Sequence, residues 1–180
     1  MLKYMGKGDA FMNTQIEIER KYIIEKPSVS DMQAMADYTS SDIVQIYLKS
    51  APAVTRRIRS RSFADKTVYT ETVKVRIDAI SANESEREIS AEQFAELSGE
   101  IAQGSRPLRK TRHTFSYGRH TVEIDVYPEW ENTAVLEVEL RGRDECVLLP
   151  DFINIIKEVT GDKRYSNASM SRSFPEELHL

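Results

Sequence analysis

The chain has 180 residues, 30% of them charged and 40% hydrophobic, with a formal net charge of −4. That length suits one domain with a sizeable core. The apolar share is too high for a disordered chain, and the negative balance argues against a protein built to coat nucleic acid.

Cys146 is the only cysteine, which excludes an internal disulfide. No apolar run approaches the ~20 residues of a membrane-spanning helix, so no membrane association is expected. Residues 1–12 hold no apolar central segment of a secretory signal. Residues 1–13 are expected to be a disordered leader or an expression remnant, with Met12 as a candidate natural start, and the cytoplasm is the expected compartment.

From residue 15 the chain alternates strand-like and short helical segments. Residues 15–24 read as a strand, and residues 30–38 as a short helix with Ser30 at its N-cap. Strands are predicted over 43–49, 54–62, 67–77 and 84–89. Residues 90–103 read as a helix: Ser90 and Gln93 have capping-box spacing, Phe94, Leu97 and Ile101 share a face, and Gly104 stands at the C-terminal stop. Strands follow over 109–117, 120–127 and 134–141, the first two joined by a tight turn at Gly118. Cys146, followed by Val147, Leu148 and Leu149, reads as a buried thiol. A helix is predicted over 151–159, after Pro150 and before Gly161, and a last short one over 167–172. Residues 14–175 read as one domain with a short tail at 176–180. About eight strands with a few connecting helices predict a mainly β, α+β fold: a closed antiparallel β-barrel with helices packed outside and a C-terminal helix.

Successive strand residues face opposite ways, and splitting each strand by parity gives a consistent result. One face of the first strand carries Glu17, Glu19 and Lys21, against Ile16 and Ile18 on the other. The next strands carry Arg57, Arg59 and Arg61, then Thr70, Thr72, Lys74 and Arg76, then Glu84, Glu86 and Glu88. Lys110 and Arg112 follow, then Glu123 and Asp125, and finally Glu137, Glu139 and Arg141. A sheet with one solvated face would show the same alternation. Solvated faces, however, mix signs along a strand, whereas here acids and bases are sorted onto different strands. The bases are also rich in Arg, whose planar fork suits phosphate. A hydrated barrel interior that receives a metal and an anion meets the cost of so much enclosed charge. The apolar parity then faces outward under the helices and, in a homodimer, under a partner chain.

Glu17-Ile18-Glu19-Arg20-Lys21 resembles the Glu-x-Glu-x-Lys signature of the CYTH superfamily, the triphosphate tunnel metalloenzymes. Further segments resemble that family in order: Gln45-Ile46-Tyr47-Leu48 its second strand, Arg57-Ile58-Arg59 its Arg-x-Arg strand, and Thr72-Val73-Lys74 its Thr-x-Lys strand. Glu84-Ser85-Glu86, Lys110-Thr111-Arg112, Glu123-Ile124-Asp125 and Glu137-Val138-Glu139 follow, and Asp162-Lys163-Arg164-Tyr165 with Asn167 is similar to the closing segment of short bacterial members. The second strand departs from the pattern by lacking the Gly that often precedes its Tyr.

The resemblance implies an eight-stranded closed tunnel and metal-dependent hydrolysis of inorganic triphosphate to pyrophosphate and phosphate. It implies Mg²⁺ or Mn²⁺ on Glu17, Glu19, Glu137 and Glu139, with Glu84, Glu86, Glu123 and Asp125 as second choices, since hard ions prefer carboxylate oxygens. The expected phosphate clamp is Lys21, Arg57, Arg59, Lys74, Lys110 and Arg112, with Lys163 reaching in from the closing segment. Glu17, Glu19, Lys21 and Lys74 are the expected catalytic set. Arg61, Arg76, Glu88 and Arg141 are expected at the rim. Other activities of the superfamily (class IV-type adenylyl cyclase, thiamine triphosphatase, RNA or nucleoside triphosphatase) and a non-catalytic polyphosphate-binding module are the alternatives. There is no Gly-rich Lys-Ser/Thr phosphate loop. His113, His120 and His179 lack zinc-ligand spacing, and His113, Tyr127 and Trp130 read as packing residues. Ser166, Ser169 and Ser171 show no nucleophile elbow.

Overall fold

Alternation of apolar and charged side chains builds nine strands into one antiparallel sheet. The computed structural model describes residues 13–77, 81–142 and 144–178, so most of the expected leader and the end of the tail lie outside the described residues. In chain order the elements are β1 (Asn13–Glu25), α1 (Val29–Gln33), β2 (Ala36–Tyr47), β3 (Val54–Ser62), β4 (Thr67–Arg76), β5 (Ser81–Ile89), α2 (Ala91–Leu97), β6 (Leu108–Tyr117), β7 (His120–Val126), β8 (Thr133–Glu139), β9 (Ile155–Glu158) and α3 (Asn167–Met170). The sheet order is β5-β4-β3-β2-β6-β7-β8-β1-β9. β1 pairs with β8 from Glu19↔Glu139 to Glu25↔Thr133. Its first half pairs with β5, at the far end of that order, from Asn13↔Glu86 to Ile18↔Ser81.

Three local expectations are corrected. The helix expected over 151–159 is instead the short strand β9, lying along β1 with Tyr22↔Glu158 and Ile23↔Lys157. Beyond Ile18 the edge of β1 that faces β5 has no partner from β5, and unpaired backbone must be satisfied. The β-branched Ile155 and Ile156 suit that edge, and the Val159 N–H continues it by donating to the Lys21 carbonyl at 2.9 Å. The helix expected over 30–38 is the shorter α1, capped by Ser28, whose hydroxyl accepts from the Asp31 N–H. The chain then joins β6 at Ala36↔Ser116, earlier than expected, with Asp37 at φ 56° in the irregularity that precedes Thr39↔Thr114. Cys146 is exposed: residues 145–149 are extended and alternate, so Val147 and Leu149 turn into the core while Cys146 and Leu148 turn out.

Elsewhere local chemistry prevails. Ser90 and Gln93 form the reciprocal capping box of α2, and Gly118 takes φ 59° between β6 and β7. The outward faces of β1, β6, β7 and β8 bury Ile24, Phe115, Ile124 and Leu136 beneath Met32 of α1 and the 147–153 segment. Ile46, Ile58 and Ile89 lie beneath Phe94 and Leu97 of α2. His113 is buried on this side and hydrogen-bonds through Nδ1 with the Tyr38 hydroxyl at 2.9 Å.

A third cluster sits on the other face. Ile23, Leu108, Tyr127 and Val135 share the parity of the charged residues, yet pack with Trp130, Val159, Tyr165 and Met170. The inward face is therefore charged along most of its length and apolar at one end. Two residues of the expected tail meet this part of the fold: Leu178 packs on the cluster beside Phe174, and the Glu177 carboxylate accepts the N–H groups of Glu131, Asn132 and Thr133. No helix among the described residues is long and apolar enough to cross a membrane.

Candidate active site

The charged parity of β1–β8 lines a cavity of about 630 Å³, in the range of small-molecule sites. It brings together Glu19 and Lys21 of β1, Arg57 and Arg59 of β3, Lys74 of β4, Glu84 and Glu86 of β5, Lys110 and Arg112 of β6, Glu123 of β7, and Glu137 and Glu139 of β8. Arg61 and Glu88, expected at the rim, line the same space. Arg141 does not line it. The side chains of Glu17 and Arg76 lie outside the described residues. Lys163 borders a separate niche of about 30 Å³, shared with Glu19, Lys21 and Ser166. Gln45, Tyr47 and Thr70 also line the cavity. Their positions on the inward parity of β2 and β4 were the available signal, and an uncharged side chain on a charged face is easily passed over.

Asp125 is fully buried and is not part of the lining. Arg112 grips it with Nε on Oδ1 and Nη2 on Oδ2, both at 2.7 Å, and Lys110 donates to it as well. Arg112 also donates to Glu137 at 2.7 Å and to Glu123. Lys21 completes the group with a 2.7 Å contact to Glu137. Burial opposes the Lys21 charge, but Glu137 and Glu19 outweigh it and raise its pKa above the ordinary lysine value. Glu137, against the same burial, is held well below the usual carboxylate range by Lys21 and Arg112. Lys110 moves the other way: burial and the neighbouring Arg112 lower it to about 8.

Across the cavity the pairs are longer. Arg57 and Lys74 meet Glu84 at 3.0 and 3.1 Å, and Arg59 meets Glu86 at 3.0 Å. Burial and the adjacent Arg57 lower Arg59 to about 10. Thr72 donates to Glu86 at 2.8 Å. Among the described residues no three Asp, Glu, His or Cys side chains converge tightly enough to cage a metal ion. Glu19 and Glu139 are nonetheless cross-strand partners that both line the cavity. Two carboxylates suit Mg²⁺, which takes one or two of them and fills its remaining positions with water and substrate phosphate.

No protein-family model matches the chain. It is 30% identical over 159 residues to an inorganic triphosphatase of Acetivibrio thermocellus, covering 87% of this chain and 94% of that protein. It is similar to the crystal structure of the inorganic triphosphatase NE1496, with a TM-score of 0.58 and 26% identity over 89% of this chain and 97% of that one. PH1819 from Pyrococcus horikoshii OT3 shares the fold, with a TM-score of 0.54 and 17% identity over 71% of this chain and 80% of that one.

Proposed function

The chain belongs to the CYTH superfamily of triphosphate tunnel enzymes, and we propose that it hydrolyses inorganic triphosphate to pyrophosphate and phosphate with a divalent metal, Mg²⁺ or Mn²⁺. One observation carries this reading: eight cationic side chains and seven carboxylates from seven strands line one small cavity. A binder of bare anions gains nothing from the carboxylates.

Strands β1–β8 form a closed tunnel in this reading, supported by the pairing of β1 with both β8 and β5. The apolar cluster around Tyr127 and Met170 stops one end, so substrate enters at the other. Glu19 and Glu139, with Glu17, would hold the metal, which supplies charge neutralisation and acidifies a bound water. Arg57, Arg59 and Lys74 exchange their carboxylates for phosphate oxygens. Lys21 and Lys110 meet the anion from the opposite wall, and Arg112 holds Asp125, Glu123 and Glu137 in place. Water attacks the terminal phosphorus, its proton passes to a lining carboxylate, and the bond to the bridging oxygen breaks to release pyrophosphate. Such a reaction depends on positioning and charge stabilisation more than on covalent chemistry.

The test is phosphate release from tripolyphosphate with Mg²⁺ or Mn²⁺, run beside ATP and thiamine triphosphate. Tripolyphosphate is the expected best substrate, and Lys21→Ala and Glu19→Ala each lower kcat/KM about 100-fold or more. Wild-type rates from either variant overturn the assignment.

A further inference from the structure

Three polar side chains stand in one cross-strand row of the cavity wall. Gln45 of β2 lies opposite Arg59 of β3, and Arg59 lies opposite Thr70 of β4. Directly opposed residues of an antiparallel pair face the same way, and all three line the cavity. The two outer members are anomalous. The Gln45 amide oxygen and the Thr70 hydroxyl are buried and have no hydrogen-bond partner among the described residues. Gln45 is only 1% exposed. Thr72, one row away and of the same residue type as Thr70, is satisfied by Glu86. Buried polar groups without partners are uncommon and each costs stability, so a pair of them on either side of Arg59 in one cross-strand row calls for a physical cause.

We propose that Gln45 and Thr70 are the neutral arms of a phosphate subsite centred on Arg59, positioning one phosphate of the triphosphate substrate. The inference rests on the triphosphatase reading of the same cavity and extends it to two residues that carry no charge. When Arg59 turns from Glu86 to the anion, the row opens on both sides of its guanidinium. The Thr70 hydroxyl then donates to one phosphate oxygen.

Gln45 contributes through its amide. In the structure its Nε2 donates to the Tyr47 hydroxyl at 2.6 Å. The terminal torsion of a Gln is soft and roughly two-fold, and a phenol donates as readily as it accepts. Turning the amide lets the Tyr47 O–H donate to the amide oxygen and frees the NH₂ for a second phosphate oxygen. Both orphaned atoms are thereby satisfied. Burial raises the Tyr47 phenol, so it keeps the proton this exchange needs.

The experiment uses the full chain with Mg²⁺ and tripolyphosphate and reads KM, kcat and thermal melting. Thr70→Val, nearly isosteric, is expected to raise KM about 10-fold with kcat within about 2-fold. Its melting temperature without substrate stays level or rises, because an unsatisfied hydroxyl is removed. A merely structural threonine predicts the opposite change in melting. Thr70→Ser restores KM to within about 2-fold of wild type, and Gln45→Met raises it by a similar ~10-fold factor. If the wild-type protein releases no phosphate from tripolyphosphate, the triphosphatase reading falls. If it does, and Thr70→Val and Gln45→Met keep the wild-type KM, the subsite alone is overturned.

Discussion

The two walls of the cavity use the same residue types and behave differently. On the wall of β1, β6, β7 and β8, the two most buried carboxylates each answer two cations: Asp125 takes Lys110 and Arg112, and Glu137 takes Lys21 and Arg112. Arg112 meets Asp125 and Glu137, and Lys21 meets Glu137, all at 2.7 Å, and the Asp125 side chain is 0% exposed. On the wall of β3, β4 and β5 the contacts lengthen to 3.0–3.1 Å; Glu84, which answers Arg57 and Lys74, is buried, while the Glu86 side chain is 37% exposed. Enclosed charge is strengthened by low dielectric, whereas exposed charge is screened. The first wall therefore holds its geometry whatever the cavity contains. On the second, the part-exposed Arg59–Glu86 pair can exchange its carboxylate for a phosphate at small cost, and the row with two unsatisfied polar atoms, which includes Arg59, lies on this wall and on neighbouring β2.

The strongest way to break this comparison is to remove the buried hub. Asp125→Ala leaves Lys110 and Arg112 short of a counter-charge in the interior, and loss of one partner from a buried ionic group costs about 3–5 kcal/mol. Urea unfolding should show that loss, and a cost under ~1 kcal/mol would make the two walls equivalent. The acid limb follows from the same residues. Against burial, Arg112 and Lys110 hold the Asp125 carboxyl below its usual range, as Lys21 and Arg112 hold Glu137. Their folded-state pKa values are depressed, so the stability they contribute is present above about pH 4 and is lost as pH falls through the lowered values.

A second, smaller effect separates the walls by pH. Lys110 is lowered from 10.5 to about 8. The folded protein gives up this proton before the unfolded chain does, so stability from this group rises with pH between about 8 and 10.5. Across the same window the cavity loses a cation that belongs to the proposed phosphate clamp. The expected profile of kcat/KM falls above about pH 8, by up to about 10-fold per pH unit. Lys110→Arg should move that limb to higher pH. A wild-type profile flat to pH 10 would remove Lys110 from the clamp.

Much of this architecture was legible from a two-residue period, which places a side chain on a face whatever the fold around it. Period alone does not give depth along the cavity. Ile23, Leu108, Tyr127 and Val135 share the charged parity, yet they close one end because the 159–178 segment packs across them. Asp125 looked like a metal ligand beside Glu123, but lies beneath the lining with both oxygens taken by Arg112. β9 reads as a helix in the sequence because its pattern is short and the edge of β1 it satisfies is far away, 134 residues in the case of Ile23↔Lys157. Gln45 and Thr70 went unassigned because a neutral side chain signals a phosphate site only when its hydrogen bonds can be counted.

The smallest effect is the most discriminating. Glu86 meets Arg59 at 3.0 Å, in the position a phosphate would take in the proposed subsite. An incoming anion must displace that carboxylate, and the displaced charge then faces the anion across the cavity. Glu86→Gln removes the competitor and keeps an acceptor for the Thr72 hydroxyl. The pair is part-exposed, so stability should change by less than ~1 kcal/mol. Affinity for tripolyphosphate in EDTA, measured by calorimetry, should rise about 3- to 10-fold, since one like-charge contact is gone. The matching change on the other wall, Glu137→Gln, should loosen Lys21 and Arg112 together and lower stability by several-fold more than Glu86→Gln does. If Glu86→Gln instead weakens metal-free binding, Glu86 is a positioning partner of Arg59 in the bound state, and the β3–β5 wall is as fixed as the wall opposite.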